Sequence, residues 1–306
     1  MPSDARLKNS FAKLCDAYID SEDFRALRPA SRSLWRRELV FACRFLGDAS
    51  LFEVQAPLII RYLKGLRSRP YKQQAALAAL RQVQAWAFGE GRIRFPFMEG
   101  VSKKFPKPTT GHTPWTEHQV QLGEQFASPH LSRVITLMAW TGQRESDAVR
   151  LGWTDLETVG GKDGFALRQL KTGREIWVPI MEPLRKAMQS WERRPGPFLR
   201  SLSGQPWQPH YLSDSWRDER GRNPHLRPLL EAGLVLHGLR GHACVRLYQA
   251  GCNTREVGDM VGMNEPTVRR YTSKWGSRER NLATVTRLES YLNEGRTFDQ
   301  SSKKEG

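Results

Sequence analysis

Apolar residues recur at helical spacing through the first hundred positions. In SRSLWRRELVFACRFLG (31–47), Leu34, Trp35, Leu39, Ala42, Cys43 and Leu46 fall on one face, and Gly47 closes the run. APLIIRYLKGLRSR (56–69) predicts a second helix, stopped before Pro70. YKQQAALAALRQVQAWAFGEG (71–91) predicts a third, with Ala76, Leu80, Val83 and Ala87 aligned and glycines 89 and 91 as its stop. An earlier helix is expected over FAKLCDAYID (11–20). Together these describe a small bundle with an alanine-rich, closely packed core.

The pattern then breaks. FMEGVSKKFPKPTTGHTP (97–114) carries prolines and glycines that forbid a continuous helix, so a linker is expected, with limits 101–113. Thr116 is a plausible N-cap for a helix over 117–126, and another follows over 130–140. Two short β-rich runs, GFALRQL (164–170) and EIWVPI (175–180), flanking the glycine turn Lys171-Thr172-Gly173-Arg174, predict a β-hairpin. Helices are expected again at 181–193, 209–219, 240–250, 254–262 and 266–273, with 194–208 as loop. NLATVTRLESYLNEG (281–295) has a further apolar stripe, and 296–306 reads as a disordered tail. The predicted class is mainly α with a small β-sheet (α+β). A helical domain is expected over 1–100 and a second domain over 114–295.

Charge gives this architecture a partner. The 306 residues carry 48 Lys and Arg against 32 Asp and Glu, a formal +16. Residues 1–110 hold 20 basic and 10 acidic side chains, so both parts of the chain are basic. That distribution suits a clamp on duplex DNA better than one sticky tail. Lys103, Lys104 and Lys107 in the linker, and Arg174 in the hairpin turn, are candidate backbone contacts. The four cysteines (Cys15, Cys43, Cys244, Cys252) lack metal-ligand spacing and read as ordinary buried thiols, so no metal or cofactor is expected. No run of 18 apolar residues points to a membrane span, and a cytoplasmic, nucleoid-associated location is expected.

Four short segments carry candidate chemistry: TGQRESDAVRL (141–151), LKTGREIWVPI (170–180), HGLRGHACVRL (237–247) and GDMVGMNEPTVRRYTSKWG (258–276). Attack on a phosphodiester builds charge on two non-bridging oxygens, and guanidinium groups match such a pair. Arg144 and Arg240 are the candidate clamp. Tyr271 is the candidate nucleophile; a phenol needs nearby positive charge or a base, and His237 can supply either. Lys171 is the candidate proton donor to the departing oxygen. Asp147, three residues after Arg144, could hold a guanidinium, cap a helix or be a surface acid.

The ordered set resembles the tyrosine recombinases, also called the phage integrase family. TGQRESD looks like the family's first arginine box, LKTGREIWVPI its lysine hairpin, HGLRGHACVRLYQAG its second histidine–arginine box, and VGMNEPTVRRYTS the box ending in the nucleophile. The resemblance implies a site-specific recombinase that forms a covalent 3′-phosphotyrosine without a metal. It also implies a C-shaped clamp on DNA, a dimer on one site, a tetramer in synapsis, and docking of the last helix on a neighbouring protomer. Accessory DNA-bending proteins would be further partners. One position departs: Met263 follows Gly262 where the family has histidine or tryptophan. Methionine donates no hydrogen bond, so it would pack beneath the tyrosine helix, with His242 and Asn264 as nearby substitute donors. Three other readings stand beside this one. Residues 253–271 also fit a helix-turn-helix regulator without chemistry, a type IB topoisomerase would use the same chemistry, and Met263 leaves room for a recombinase relative that has lost activity.

Overall fold

The computed structural model describes residues 10–101, 112–273, 281–282 and 284–292. The chain divides into two compact units, Met1–Gly111 and His112–Gly306. The first is all helical: α1 (Phe11–Ile19), α2 (Glu22–Ala26), α3 (Pro29–Leu46), α4 (Ala56–Gly65) and α5 (Pro70–Gly89). Ser10 and Ser21 cap α1 and α2 by accepting from Lys13 and Phe24 backbone N–H groups. Prolines in the first turns of α3, α4 and α5 occupy positions that need no donor.

The alanine-rich face expected on α5 is the buried one: Ala76, Leu80, Val83 and Ala87 pack with Phe11, Tyr18, Leu39, Leu46, Ile59 and Leu63. Buried Gln73 donates from Nε2 to the Leu63 carbonyl at 2.7 Å and ties α5 to α4. Two details differ from expectation. The helix begun at Ala56 ends at Gly65, because residues 66–69 turn to deliver Pro70 to the start of α5. Phe97, Met98 and Val101, expected at the head of a linker, are buried in this first core, and the Met98 N–H donates to Gln84 Oε1.

The second unit begins with α6 (Glu117–Phe126), capped by the box that Thr116 and Gln119 form, and α7 (Pro129–Thr141). The short α8 (Glu145–Ala148) leads to an antiparallel sheet of β1 (Leu156–Val159), β2 (Lys162–Arg168) and β3 (Glu175–Pro179), in the order β1-β2-β3. Phe165 is opposite Leu156 on one side and Val178 on the other. The β2–β3 hairpin was legible; β1 was not, since all four of its residues are exposed. Its signal was the Gly160-Gly161 pair, both at positive φ, in a two-residue turn.

Next come α9 (Glu182–Met188), α10 (Pro209–Arg222), α11 (Arg227–Glu231), α12 (Gly238–Gln249), α13 (Thr254–Val261) and α14 (Glu265–Thr272). One core gathers α6, α7, the inner face of the sheet and α9–α11. A second, smaller apolar cluster joins α12, α13 and α14 through Ala243, Cys244, Val257, Val261, Met263, Val268 and Tyr271. Helix also covers 284–292, with Val285, Leu288, Tyr291 and Leu292 exposed. Of the cysteines, Cys15 and Cys244 are buried as expected, whereas Cys43 and Cys252 are half-buried; all four are free thiols. Among the described residues, no helix is long and apolar enough to cross a membrane.

Candidate active site

The site begins where α7 stops. Gly142 is left-handed (φ 63°), and its N–H bonds the Met138 carbonyl at the helix end. A Cβ at 142 would sit 2.7 Å from the Val261 side chain and 3.0 Å from Ala243, so only glycine lets this loop approach α12 and α13. Two residues on, Arg144 is the N-cap of α8. Its Nη1 donates to Gln169 Oε1 at 3.0 Å and lies 3.7 Å from Asp147 Oδ2.

Asp147 is not a surface acid. It is 1% exposed, and its Oδ1 accepts the Leu170 N–H at 2.8 Å. That bond ties the arginine loop to the hairpin at the residue preceding Lys171. The hairpin turn closes through Gln169 N–H to the Arg174 carbonyl (2.9 Å) and Gly173 N–H to the Gln169 carbonyl (2.8 Å). Lys171 itself is exposed at the tip.

His237 is the N-cap of α12, and Arg240 lies in its first turn. The Arg240 guanidinium is 1% exposed and donates to two carbonyls, Gly142 at 2.6 Å and Gly262 at 2.9 Å. Burial, with Arg144 adding to it, lowers its pKa to about 10, which leaves it charged at neutral pH. Burial also lowers His237 to about 4, followed by the charges of His112, Arg240, Arg144 and Lys171. In the free protein this imidazole is therefore neutral at neutral pH.

Tyr271 lies on α14, capped by Asn264, and is 7% exposed. Its ring covers Gly241 of α12, where a Cβ would come within 2.8 Å of it. The Arg270 guanidinium stands 5.4 Å from the ring centroid. Tyr271 and Asp147 are both among the groups whose charge Arg240 feels. Arg144, Lys171, His237, Arg240, Asp147 and Tyr271 thus share one electrostatic neighbourhood, drawn from four separate stretches of chain.

Met263 is buried in the α12–α14 cluster, with the Cys244 thiol 4.0 Å from its sulfur. His242 has its Nδ1 2.8 Å from the Trp115 carbonyl and its Nε2 3.6 Å from Glu117, and burial lowers its pKa to about 4. Asn264 accepts the Thr267 N–H as the cap of α14. Arg174 bonds Asp259 at 2.6 Å and the Met263 carbonyl at 3.3 Å, which ties the hairpin to α13. Lys103, Lys104 and Lys107 lie outside the described residues. Among the described residues no group of three or more His, Cys, Asp and Glu could hold a metal ion.

Sequence reasoning passed over Gln169, Gln143 and His112. Gln169 is fully buried on the inward register of Phe165 and Leu167, so a polar residue in phase with apolar ones was its signal. The His112 and His237 rings meet edge-on with centroids 4.8 Å apart. Nothing local in the sequence announces that contact.

Residues 124–275 match the model of the phage integrase family. The chain belongs to that family, the tyrosine recombinases, and membership supports site-specific DNA recombination. No curated protein sequence matches it. Its fold is similar to a lambda integrase dimer bound to a COC' core site (18% identity, TM-score 0.70, covering 91% of this chain and 82% of that one). It is also similar to the Tn1549 transposon integrase in complex with a circular intermediate DNA (16%, TM-score 0.66, 91% and 99%). A third likeness is to the XerH site-specific recombinase bound to a palindromic difH substrate (16%, TM-score 0.60, 84% and 80%).

Proposed function

We propose that the chain cleaves and rejoins duplex DNA at specific sites through a covalent 3′-phosphotyrosine on Tyr271, without a metal. The observation that supports this reading is that Arg144, Arg240 and Lys171 all act electrostatically on His237, while Arg240 in turn feels Tyr271. The Tyr271 hydroxyl oxygen attacks the scissile phosphorus, and its proton passes to a ring nitrogen of neutral His237. The bond from phosphorus to the 5′ oxygen breaks. Lys171 protonates that oxygen and releases a 5′-hydroxyl strand. Arg144 and Arg240 neutralise the non-bridging oxygens as charge builds on them. Attack by a 5′-hydroxyl from another strand reverses the steps and frees the tyrosine.

Residues 1–100 would form one arm of a DNA clamp, 101–113 a linker with Lys103, Lys104 and Lys107 along the backbone, and 114–295 the catalytic arm. The exposed apolar side chains of 284–292 support docking on a neighbouring protomer, as a dimer on one site and a tetramer in synapsis. The deciding experiment is a nicked suicide substrate incubated in EDTA. Wild-type protein is expected to become attached to a 3′ phosphate, and Tyr271→Phe to form no adduct while still binding the site. An adduct from Tyr271→Phe would move the nucleophile elsewhere.

A further inference from the structure

The side-chain amide of Gln169 is the most fully used polar group in the described site. Its Oε1 accepts from Arg144 Nη1 at 3.0 Å and from Thr172 Oγ1 at 3.1 Å. Its Nε2 donates to Gln143 Oε1 at 2.9 Å and to the Val261 carbonyl at 3.1 Å. The residue is fully buried, and the Gly262 backbone packs so closely on the amide that any Cβ at 262 would collide with it. One planar group therefore touches the arginine loop, the lysine turn and the end of α13, immediately before the loop to α14.

We infer that Gln169 is a positioning residue that sets the Lys171 turn in register with the Arg144 guanidinium, so that protonation of the leaving 5′ oxygen depends on it. The inference rests on the reading of Lys171 as the proton donor. The physical case is a division of labour around residue 171. On one side Asp147 fixes the Leu170 N–H. On the other, Gln169 fixes the Thr172 hydroxyl, and its own backbone closes the turn to Gly173 and Arg174. A lysine on an exposed hairpin tip has several rotatable bonds; pinning the backbone on both sides limits where its ammonium reaches. Sharing a single acceptor oxygen between Arg144 and Thr172 couples the lysine to the phosphate clamp. All four hydrogen bonds that the amide makes are to groups of this one site, so losing any of them leaves a buried polar atom short of a partner.

The test compares rates of adduct formation on two nicked substrates: an ordinary phosphodiester, and one with sulfur at the bridging 5′ position. A thiolate departs without being protonated, so the sulfur substrate bypasses the lysine step. Lys171→Ala sets the scale, slow on oxygen and restored on sulfur. Gln169→Leu is expected to be slowed about 100-fold on oxygen and to recover at least tenfold on sulfur. Thr172→Val removes the hydroxyl's bond to Gln169 and its weak 3.4 Å acceptance of the Arg174 N–H at an exposed position, and keeps the rest of the buried network, so it answers even if Gln169→Leu folds poorly. It is expected to be slowed about tenfold on oxygen, also with recovery on sulfur. Equal deficits on both substrates, or wild-type rates for Thr172→Val, would overturn the inference, as would a Lys171→Ala protein unrescued by sulfur. A wild-type protein that forms no adduct on either substrate would instead sink the recombinase reading itself.

Discussion

Arg240 Nη1 donates to the Gly142 carbonyl at 2.6 Å and so joins the HGLR helix to the TGQR loop across 98 residues of chain. Its Nη2 does the same for Gly262, the left-handed end of α13. The guanidinium proposed to hold phosphate therefore also holds together the frame around the tyrosine. Two of its five donors serve carbonyls.

The two arginines should then separate in their effects. Arg144→Ala is expected to abolish adduct formation with a stability loss of about 1–2 kcal/mol, since a partly exposed guanidinium gives up one bond to Gln169 and a 3.7 Å ion pair with the buried Asp147 carboxylate. Arg240→Ala is expected to abolish adducts and also lower stability by about 2–4 kcal/mol, because two buried carbonyls lose their donor. Urea unfolding of both variants measures the split. Duplex affinity should change only a few-fold in either, because most of it comes from other phosphate contacts.

Acid should destabilise the fold through His242. Burial holds this residue at about 4 when folded, against an ordinary 6.5. The unfolded chain therefore binds the proton more tightly, and stability is complete above pH 6.5 and falls as pH drops toward 4. At its limit the loss is about 3 kcal/mol. Denaturation midpoints between pH 7.5 and 4.5 should show the slope, and His242→Gln should reduce it without removing it, because His237 is lowered in the same way. His237, depressed to about 4 as well, should show no protonation in the free protein above pH 5 by NMR.

Gly142→Ala is expected to destabilise by at least about 2 kcal/mol, because it adds a left-handed penalty to a 2.7 Å clash with Val261. Gly160→Ala, with φ of 56° and open space around it, should lose only about 1 kcal/mol. Thermal unfolding of the pair tests whether close packing, and not backbone angle alone, fixes the loop that carries Arg144.

Met263→Leu should fold with a stability change under about 1.5 kcal/mol, since it conserves volume in an apolar cluster. Adduct formation should stay within about threefold of wild type, because a thioether supplies no hydrogen bond to phosphate. A fall of a hundredfold would mean that the methionine does more than pack.

Much of the local architecture was legible. The Thr116 cap, the stripe on α5, the β2–β3 hairpin and the break before α14 follow from side-chain period, caps and glycine, all of which act over a few residues. The edge strand β1 escaped because its residues are exposed and show no alternation. Phe97, Met98 and Val101 read as linker because proximity to prolines masked three apolar residues that the first core absorbs. For Asp147 the sequence left a guanidinium partner, a helix cap and a surface acid all open, because spacing alone does not reveal that the hairpin covers it.

By itself the sequence determined the candidate parts: four boxes in a fixed order, a basic surface on both portions, and a methionine where the family has an aromatic donor. Only the tertiary structure decided their state. Burial made His237 neutral, two carbonyl bonds made Arg240 a strut as well as a clamp, and a buried amide linked the Arg144 loop to the Lys171 turn. The reason is range. Helix period and turn chemistry are set by neighbours in the chain, whereas desolvation and hydrogen-bond completion depend on groups brought together from positions 22 to 98 residues apart.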